Sequence, residues 1–195
     1  MKRDVLLAGV GGQGVLSVAA VLAEAARREG LVVRQNEVHG MAQRGGAVQA
    51  TLRLADGPID GDLVARGAAD LVLGVEPVEA LRYLEYLAPG GRLVTAADPY
   101  VNVPDYPPIE EVLAAVRLVP GSVVVEAAAL AREAGSGRVA NVVMVGAASA
   151  FLPLRPEVIV ACLRDGFAAK GEKVVEANLR AFALGRAAVG ERAAR

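Results

Sequence analysis

Tryptophan is absent from this 195-residue chain, and cysteine and histidine occur once each. A single cysteine forms no intramolecular disulfide, no CxxC zinc site and no cysteine-ligated iron–sulfur cluster. A single histidine excludes a multi-histidine metal centre. Aromatic residues make up 4% of the chain, which leaves few side chains suited to stacking bases. There is no basic surplus: 21 Lys+Arg against 22 Asp+Glu leave a net charge of -1, which argues against general binding to a phosphate backbone. Apolar stretches are broken by charge or glycine well short of the about 18 residues that mark a membrane-spanning helix. The opening Met1-Lys2-Arg3-Asp4 runs into a short apolar segment without the long h-region of a signal peptide. The expectation is a cytoplasmic protein.

Small and apolar residues are abundant, with 54% hydrophobic residues and 22 glycines. That is ample for one core, and it excludes whole-chain disorder. It also favours a buried contact with another subunit. Neither an internal repeat nor a dividing linker is visible, so residues 1–195 read as a single domain.

Val5-Leu6-Leu7-Ala8 is apolar at every position, as in the middle of a parallel sheet. Glycines follow, and then a buried helix from Val15 to Glu29 stopped by Gly30. Leu31-Val32-Val33 begins a second strand and completes a βαβ unit. Val48, Ala50, Leu52 and Leu54 alternate with Gln49, Thr51 and Arg53, the pattern of a strand with one wet face. The segment separating this strand from the second is too short for a parallel crossover. It is therefore expected to be antiparallel and to lie toward a sheet edge. Further strands are expected at Asp70–Glu76, Arg92–Ala96 and Ser122–Glu126, with helices over Val78–Leu87 and from Ile109. Helices are then expected over Ala127–Ala134, Asn141–Phe151, Pro156–Ala169 and Glu172 to about Val189. The fold class is α/β and Rossmann-like: a mostly parallel sheet with one antiparallel strand and a helical C-terminal part.

Gly9-Val10-Gly11-Gly12-Gln13-Gly14 satisfies G-x-G-x-x-G between a strand and a helix. Such glycines bring a ligand's phosphate against backbone N–H groups, or simply let the helix pack close to the strand. Sequence leaves both readings open. A dinucleotide site needs an acid at the end of strand two to hold a ribose hydroxyl. Val32, Val33 and Arg34 occupy that place and Glu37 comes late, so NAD(P) binding is disfavoured. No lysine follows the glycines as in a P-loop. Gly61-Asp62-Leu63 breaks the Gly-Asp-Gly run of a thiamine-diphosphate site, and no serine lies in G-x-S-x-G. Glu37, His39 and Arg44 fall within eight positions of a glycine-rich loop. They suit binding of an anion, an ion pair with a partner chain, or an internal Glu37–Arg44 pair that only shapes the loop. Cys162 reads as a buried helical filler, Asn141 as a helix cap and Asn178 as a helix-face contact.

The glycine run, joined to Glu37-Val38-His39-Gly40-Met41-Ala42-Gln43-Arg44-Gly45-Gly46, resembles the gamma-type subunits of the 2-oxoacid:ferredoxin oxidoreductases. The second loop points to the indolepyruvate branch, its beta subunit. The likeness resumes at Ala69–Pro77, Arg82-Tyr83-Leu84, Leu87–Gly91, Ala131–Gly135 and Asn141, and ends at Glu176–Phe182. The resemblance implies oxidative decarboxylation of an aryl 2-oxoacid to its acyl-CoA, with electrons passed to ferredoxin. It implies a hetero-oligomer whose large catalytic subunit holds thiamine diphosphate, magnesium and iron–sulfur clusters. This chain would bind no cofactor alone, carry no catalytic residue, and help receive coenzyme A. Its candidate ligand-binding residues are Gly9, Gly11, Gly12, Gln13, Gly14, Glu37, His39 and Arg44. A free-standing NAD(P)-binding oxidoreductase and a nucleotide-binding regulatory module remain as alternatives.

Overall fold

In the computed structural model, which describes residues 1–39 and 45–190, strand β1 (Lys2–Val10) lies inside a six-stranded sheet. Its partners are β2 (Val32–His39), β3 (Ala47–Ala55), β4 (Ala69–Gly74), β5 (Leu87–Ala96) and β6 (Val123–Val125), in the order β2-β3-β1-β4-β5-β6. The β1–β4, β4–β5 and β5–β6 pairs are parallel, whereas β3 is antiparallel to both its neighbours. Side chains alternate across a strand, so β1 needs cover on both faces. Val5 and Leu7 join a core built with α1 (Val15–Arg28), α4 (Ala127–Glu133), α5 (Ala140–Ser149), α6 (Pro156–Phe167) and α7 (Glu172–Val189). Leu6 and Ala8 face the other way, toward α2 (Pro77–Arg82) and α3 (Ile109–Leu118). Burial of each leucine is worth about 1.5–3 kcal/mol. That double cover explains the absence of polar alternation in the sequence of β1.

α1 ends where the sequence indicates. Gly30 takes φ 79°, its N–H bonds the carbonyl of Arg27 at 2.9 Å, and the N–H of Leu31 bonds that of Ala26 at 3.0 Å. This is the glycine-terminated turn that satisfies the last helix carbonyls. α5 and α7 cross at glycines: a Cβ on Gly185 would run into the backbone of Val143, and one on Gly146 into the backbone of Phe182. Among the described residues no helix is long and apolar enough to cross a membrane.

Three expectations need correction. β3 is antiparallel and lies toward an edge, as expected, but it is inserted between β1 and β2, and β2 takes the edge itself. β1 and β2 therefore frame β3 and do not pair as a simple βαβ unit. Nor does β3 keep a wet face: Thr51 and Arg53 are 2% and 9% exposed. The segment after the strand covers them, with the Thr51 hydroxyl donating to the carbonyl of Asp62 at 3.0 Å and Arg53 donating to those of Asp60 and Gly61. The helix expected over Val78–Leu87 stops at Arg82, and β5 starts at Leu87, before Arg92.

Candidate functional site

The chain leaves β1 through a turn in which Gly12 and Gly14 hold φ 104° and 82°. Gln13 locks the turn. Its side-chain oxygen accepts the N–H of Val10 at 2.8 Å, its amide donates to the carbonyl of Val75 at 3.2 Å, and its own N–H bonds the carbonyl of Val10 at 3.0 Å. One side chain thus closes the loop and fastens it to the end of β4.

The glycines do different work. A Cβ on Gly9 would strike Val75 and come within 2.8 Å of Val15, and one on Gly14 would lie 2.6 Å from the amide nitrogen of Asn141. These two serve close packing. Gly12 is exposed and faces open space: a Cβ added there would meet nothing within 4 Å. Gly11 is buried, and its N–H and C=O exchange hydrogen bonds with Gly46 and Gly45 at 2.8 and 3.1 Å. The two glycine loops, distant in sequence, are thereby joined. The N–H groups of Val10, Gly11 and Gln13 are all engaged within the protein. A phosphate cradle is narrowed to Gly12, Gly14 and the first turn of α1.

Glu37 lies on the edge strand β2, exposed, and accepts a hydrogen bond from Gln35 at 2.8 Å. His39 closes β2 opposite Val48, which in turn stands opposite Gly9. Glu37 and His39 are thus on the second strand from β1, roughly 10 Å away at normal strand spacing. Arg44, and with it any Glu37–Arg44 pair, lies outside the described residues. The structure brings Gly9–Gly14 together with Gly45–Gly46, and sets Glu37 to one side of them.

Sequence reasoning missed most of the residues that line the space beside this loop, and misassigned Asn141. A crevice of about 330 Å³ opens beside it, lined by Gly12, Gln13, Asp98, Arg138, Asn141 and Met144 among others. It lies at the carboxyl ends of β1 and β4, where the chain's connections part to opposite faces of the sheet, the usual ligand position in open α/β sheets. Asp98 accepts the N–H of Ala128 at 2.8 Å at the start of α4. Asn141 is not the expected cap: α5 begins at Ala140, its first flanking residue is Val139, and the Asn141 side chain sits over Gly14. Cys162 and Asn178 are buried helix residues, as read from sequence.

Glu76 organises the neighbouring loop. It is 1% exposed at the start of α2, where its carboxylate accepts the N–H of Glu79 at 2.8 Å and the hydroxyl of Tyr106. The same loop reaches the glycine pair, with the Asn102 amide donating to the carbonyl of Gly45 at 2.8 Å. The Glu76-Pro77-x-Glu79 spacing was a readable helix start. Its grip on Tyr106 was not readable.

A glycine turn and a crevice at the switch point of a mostly parallel sheet define an α/β protein of Rossmann-like build, with backbone and helix ends gathered at the carboxyl end of the sheet. The pyruvate ferredoxin/flavodoxin oxidoreductase pattern matches residues 4–188. The chain is 39% identical over 200 residues to indolepyruvate oxidoreductase subunit IorB of Thermococcus kodakarensis, covering 97% of both chains. It is 35% identical to the same subunit of Methanothermobacter thermautotrophicus, covering 98% of this chain and 100% of the relative. Identity to 2-oxoglutarate synthase subunit KorC of Archaeoglobus fulgidus is 31%, over 95% and 88% of the two chains. The fold matches pyruvate oxidoreductase subunit PORC of Thermotoga maritima with a TM-score of 0.73 at 25% identity, over 94% of each chain. It also matches the 2-oxoglutarate:ferredoxin oxidoreductase of Magnetococcus marinus, solved with 2-oxoglutarate, coenzyme A and succinyl-CoA bound. There the TM-score is 0.75 at 24% identity, and the match covers 96% of this chain and 31% of that one. The chain belongs to the pyruvate ferredoxin/flavodoxin oxidoreductase family, whose members matched here are oxidoreductase subunits.

Proposed function

We propose that this chain is the accessory subunit of a cytoplasmic indolepyruvate:ferredoxin oxidoreductase, a single gamma-type domain over residues 1–195. Its large partner would convert an aryl 2-oxoacid and coenzyme A to the acyl-CoA and pass electrons to ferredoxin. The observation that carries the reading is full-length identity of 35–39% to indolepyruvate oxidoreductase subunits, against 31% to a 2-oxoglutarate synthase subunit. Thiamine diphosphate, magnesium and iron–sulfur clusters are assigned to the partner. The lone cysteine here, Cys162, is buried in α6 with its thiol pKa pushed up by that burial, which does not fit a cluster ligand. The contribution of this chain is to help receive coenzyme A at the carboxyl end of the sheet. Gly9, Gly11, Gln13 and Gly14 would shape the loop, Gly12 would face the ligand, and Glu37, His39 and Arg44 would flank it.

The inserted β3 weighs against a nicotinamide cofactor. It moves the end of β2, where a ribose-holding carboxylate belongs, one strand further from the glycine loop. A dissociation constant tighter than roughly 10 μM for NADH or NADPH, about −6.8 kcal/mol, would revive that reading. The direct test is reconstitution. Alone, the purified chain should be colourless and should not reduce a viologen dye with indolepyruvate and coenzyme A. With the large subunit it should restore reduction. Turnover by this chain alone would sink the proposal.

A further inference from the structure

We propose that the edge strand β2 pairs with β2 of a second copy of this chain, antiparallel and about a two-fold axis at Gln35. The two sheets then continue into one. The inference stands apart from the functional proposal above, which gives this edge no pairing role.

The sheet has two edges, and they are unlike. β6 is three residues long, too short to be a ready template for another strand. β2 has eight residues in register with β3. Sheet edges are ordinarily blunted by proline, lysine, a bulge or a covering segment. β2 contains neither proline nor lysine, and no bulge interrupts its pairing. Among the described residues no other segment bonds its outer side.

Which backbone groups face outward follows from the ladder. The N–H of Gly11 bonds the carbonyl of Gly46, and the N–H of Asp56 bonds that of Met1. Both bonds extend the β1–β3 register beyond its ends. Bonding direction alternates along a strand, so even-numbered residues of β3 bond toward β1 and odd-numbered ones toward β2. The odd residues of β3 stand opposite the even residues of β2. Val33, Gln35 and Glu37 therefore turn their N–H and C=O groups away from the sheet. The side chains of Val32, Arg34, Asn36 and Val38 share one face, and Val32 and Val38 are 39% and 56% exposed.

The sequence of β2 is its own complement in one register. Opposed residues share a face, so two-fold pairing sets even residues against even ones. A centre at Arg34 or at Glu37 puts like charges directly opposite each other, which is destabilising. A centre at Asn36 leaves Val32 opposite no strand residue, and a centre nearer either end pairs only a short stretch. A centre at Gln35 sets Val32 against Val38 of the second copy, twice by symmetry. It also sets Arg34 against Asn36 and Val33 against Glu37. The outward N–H and C=O groups then meet as hydrogen-bonded pairs. Such a contact is isologous and closes at the dimer. Leu63 adds apolar surface at the same face, exposed next to Asp62, whose carboxylate lies 3.8 Å from Arg34.

Sedimentation velocity of the purified full chain tests the pairing, with a dimer dissociation constant below roughly 100 μM expected. Gln35→Pro removes only an outward N–H, which an edge strand tolerates. Val32→Lys with Val38→Lys brings like charges face to face. Each variant should weaken the dimer about tenfold or more, with circular dichroism unchanged. Cysteine linkage reads the register, since Cys162 is buried. Gln35→Cys lies on the axis and should form a linked dimer on mild oxidation, whereas Asn36→Cys is held diagonally apart and should not. A chain that stays monomeric at roughly 100 μM overturns the proposal, and so does a dimer that both variants leave intact. Linkage through Asn36→Cys and not Gln35→Cys overturns the register. A monomer whose joining to the large subunit is blocked by Gln35→Pro gives the edge to another occupant and overturns the proposal. Reconstituted turnover by a monomeric chain overturns this inference and leaves the functional proposal standing. A dimer without reconstitution does the reverse.

Discussion

Around the start of β1, Asp4 is 2% exposed and accepts from Arg53 at 2.9 Å, while Lys2 approaches it at 3.0 Å and its N–H bonds Asp70. Arg53 spends its remaining donors on the carbonyls of Asp60 and Gly61. Beyond the far end of the same strand, Gly12 faces open space, and Arg138, which lines the crevice beside it, forms no ion pair among the described residues. Both regions are polar and both hold charge. They differ in whether the charges are answered from within. A satisfied network fixes the architecture, whereas an unsatisfied one at the carboxyl end of a parallel sheet is available to a ligand.

The comparison can be broken most forcefully at Asp4. Asp4→Ala strands the nearly buried guanidinium of Arg53, and a loss of about 3–5 kcal/mol in urea unfolding is expected. Asp4→Leu with Arg53→Met removes both charges and should recover most of it. A stability change confined to tenths of a kcal/mol in Asp4→Ala would mean that this end is no better answered than the other.

Arg44→Lys tests the second glycine-rich loop, whose Arg44 lies outside the described residues. If the loop recognises a ligand or partner, the variant should fold normally but lose roughly 1.5–3 kcal/mol of coenzyme A affinity or of assembly with the large subunit, the scale of a hydrogen bond to a charged group. Wild-type assembly and turnover would reduce the loop to a structural role.

Gln13 is the exception that sharpens the contrast, an internally satisfied side chain at the open end. Gln13→Ala leaves the N–H of Val10 and the carbonyl of Val75 without partners. A loss of about 1–3 kcal/mol is expected, with Gln13→Glu retaining the acceptor and losing less. Equal effects of the two variants would show that the bond to Val10 contributes nothing.

The smallest effect concerns Glu79, which is 4% exposed and has one carboxylate oxygen without a hydrogen-bond partner among the described residues. Burial pushes its pKa up from the ordinary 4.5, against the opposing pull of Arg82 and with a smaller push from Glu76. The folded state therefore holds this proton more tightly than the unfolded state. Stability falls as pH rises from about 4.5 to the raised native value, and is flat above it. Glu79→Gln lacks that slope, so its stability relative to wild type should grow across the window. Parallel stability–pH curves would show that the group is not held in this way.

Local features were legible in the sequence because local physics sets them. Val5–Ala8 needed no partner to read as a doubly covered strand, and Gly30 marked its helix end through backbone conformation. The placement of β3 was not legible, because a short connection dictates its direction but not which side of β2 it joins. Its wet face was misread for a similar reason: Thr51 and Arg53 look solvent-facing until the segment holding Asp60–Asp62 folds over them. The glycine turn was visible as a motif, yet the separate duties of Gly9 and Gly12 depend on Val75 and on empty space. Asp98, Arg138 and Asn141 form no motif at all, since only the packing of α4 and α5 against the loop brings them together.

Hydrogen exchange compared between the free chain and the chain assembled with its large subunit and coenzyme A tests the division most directly. The account predicts new protection at residues 9–17 and 135–141, and none at residues 2–4 and 53–61. Protection concentrated at the Asp4–Arg53 end, with the glycine turn unchanged, would contradict it.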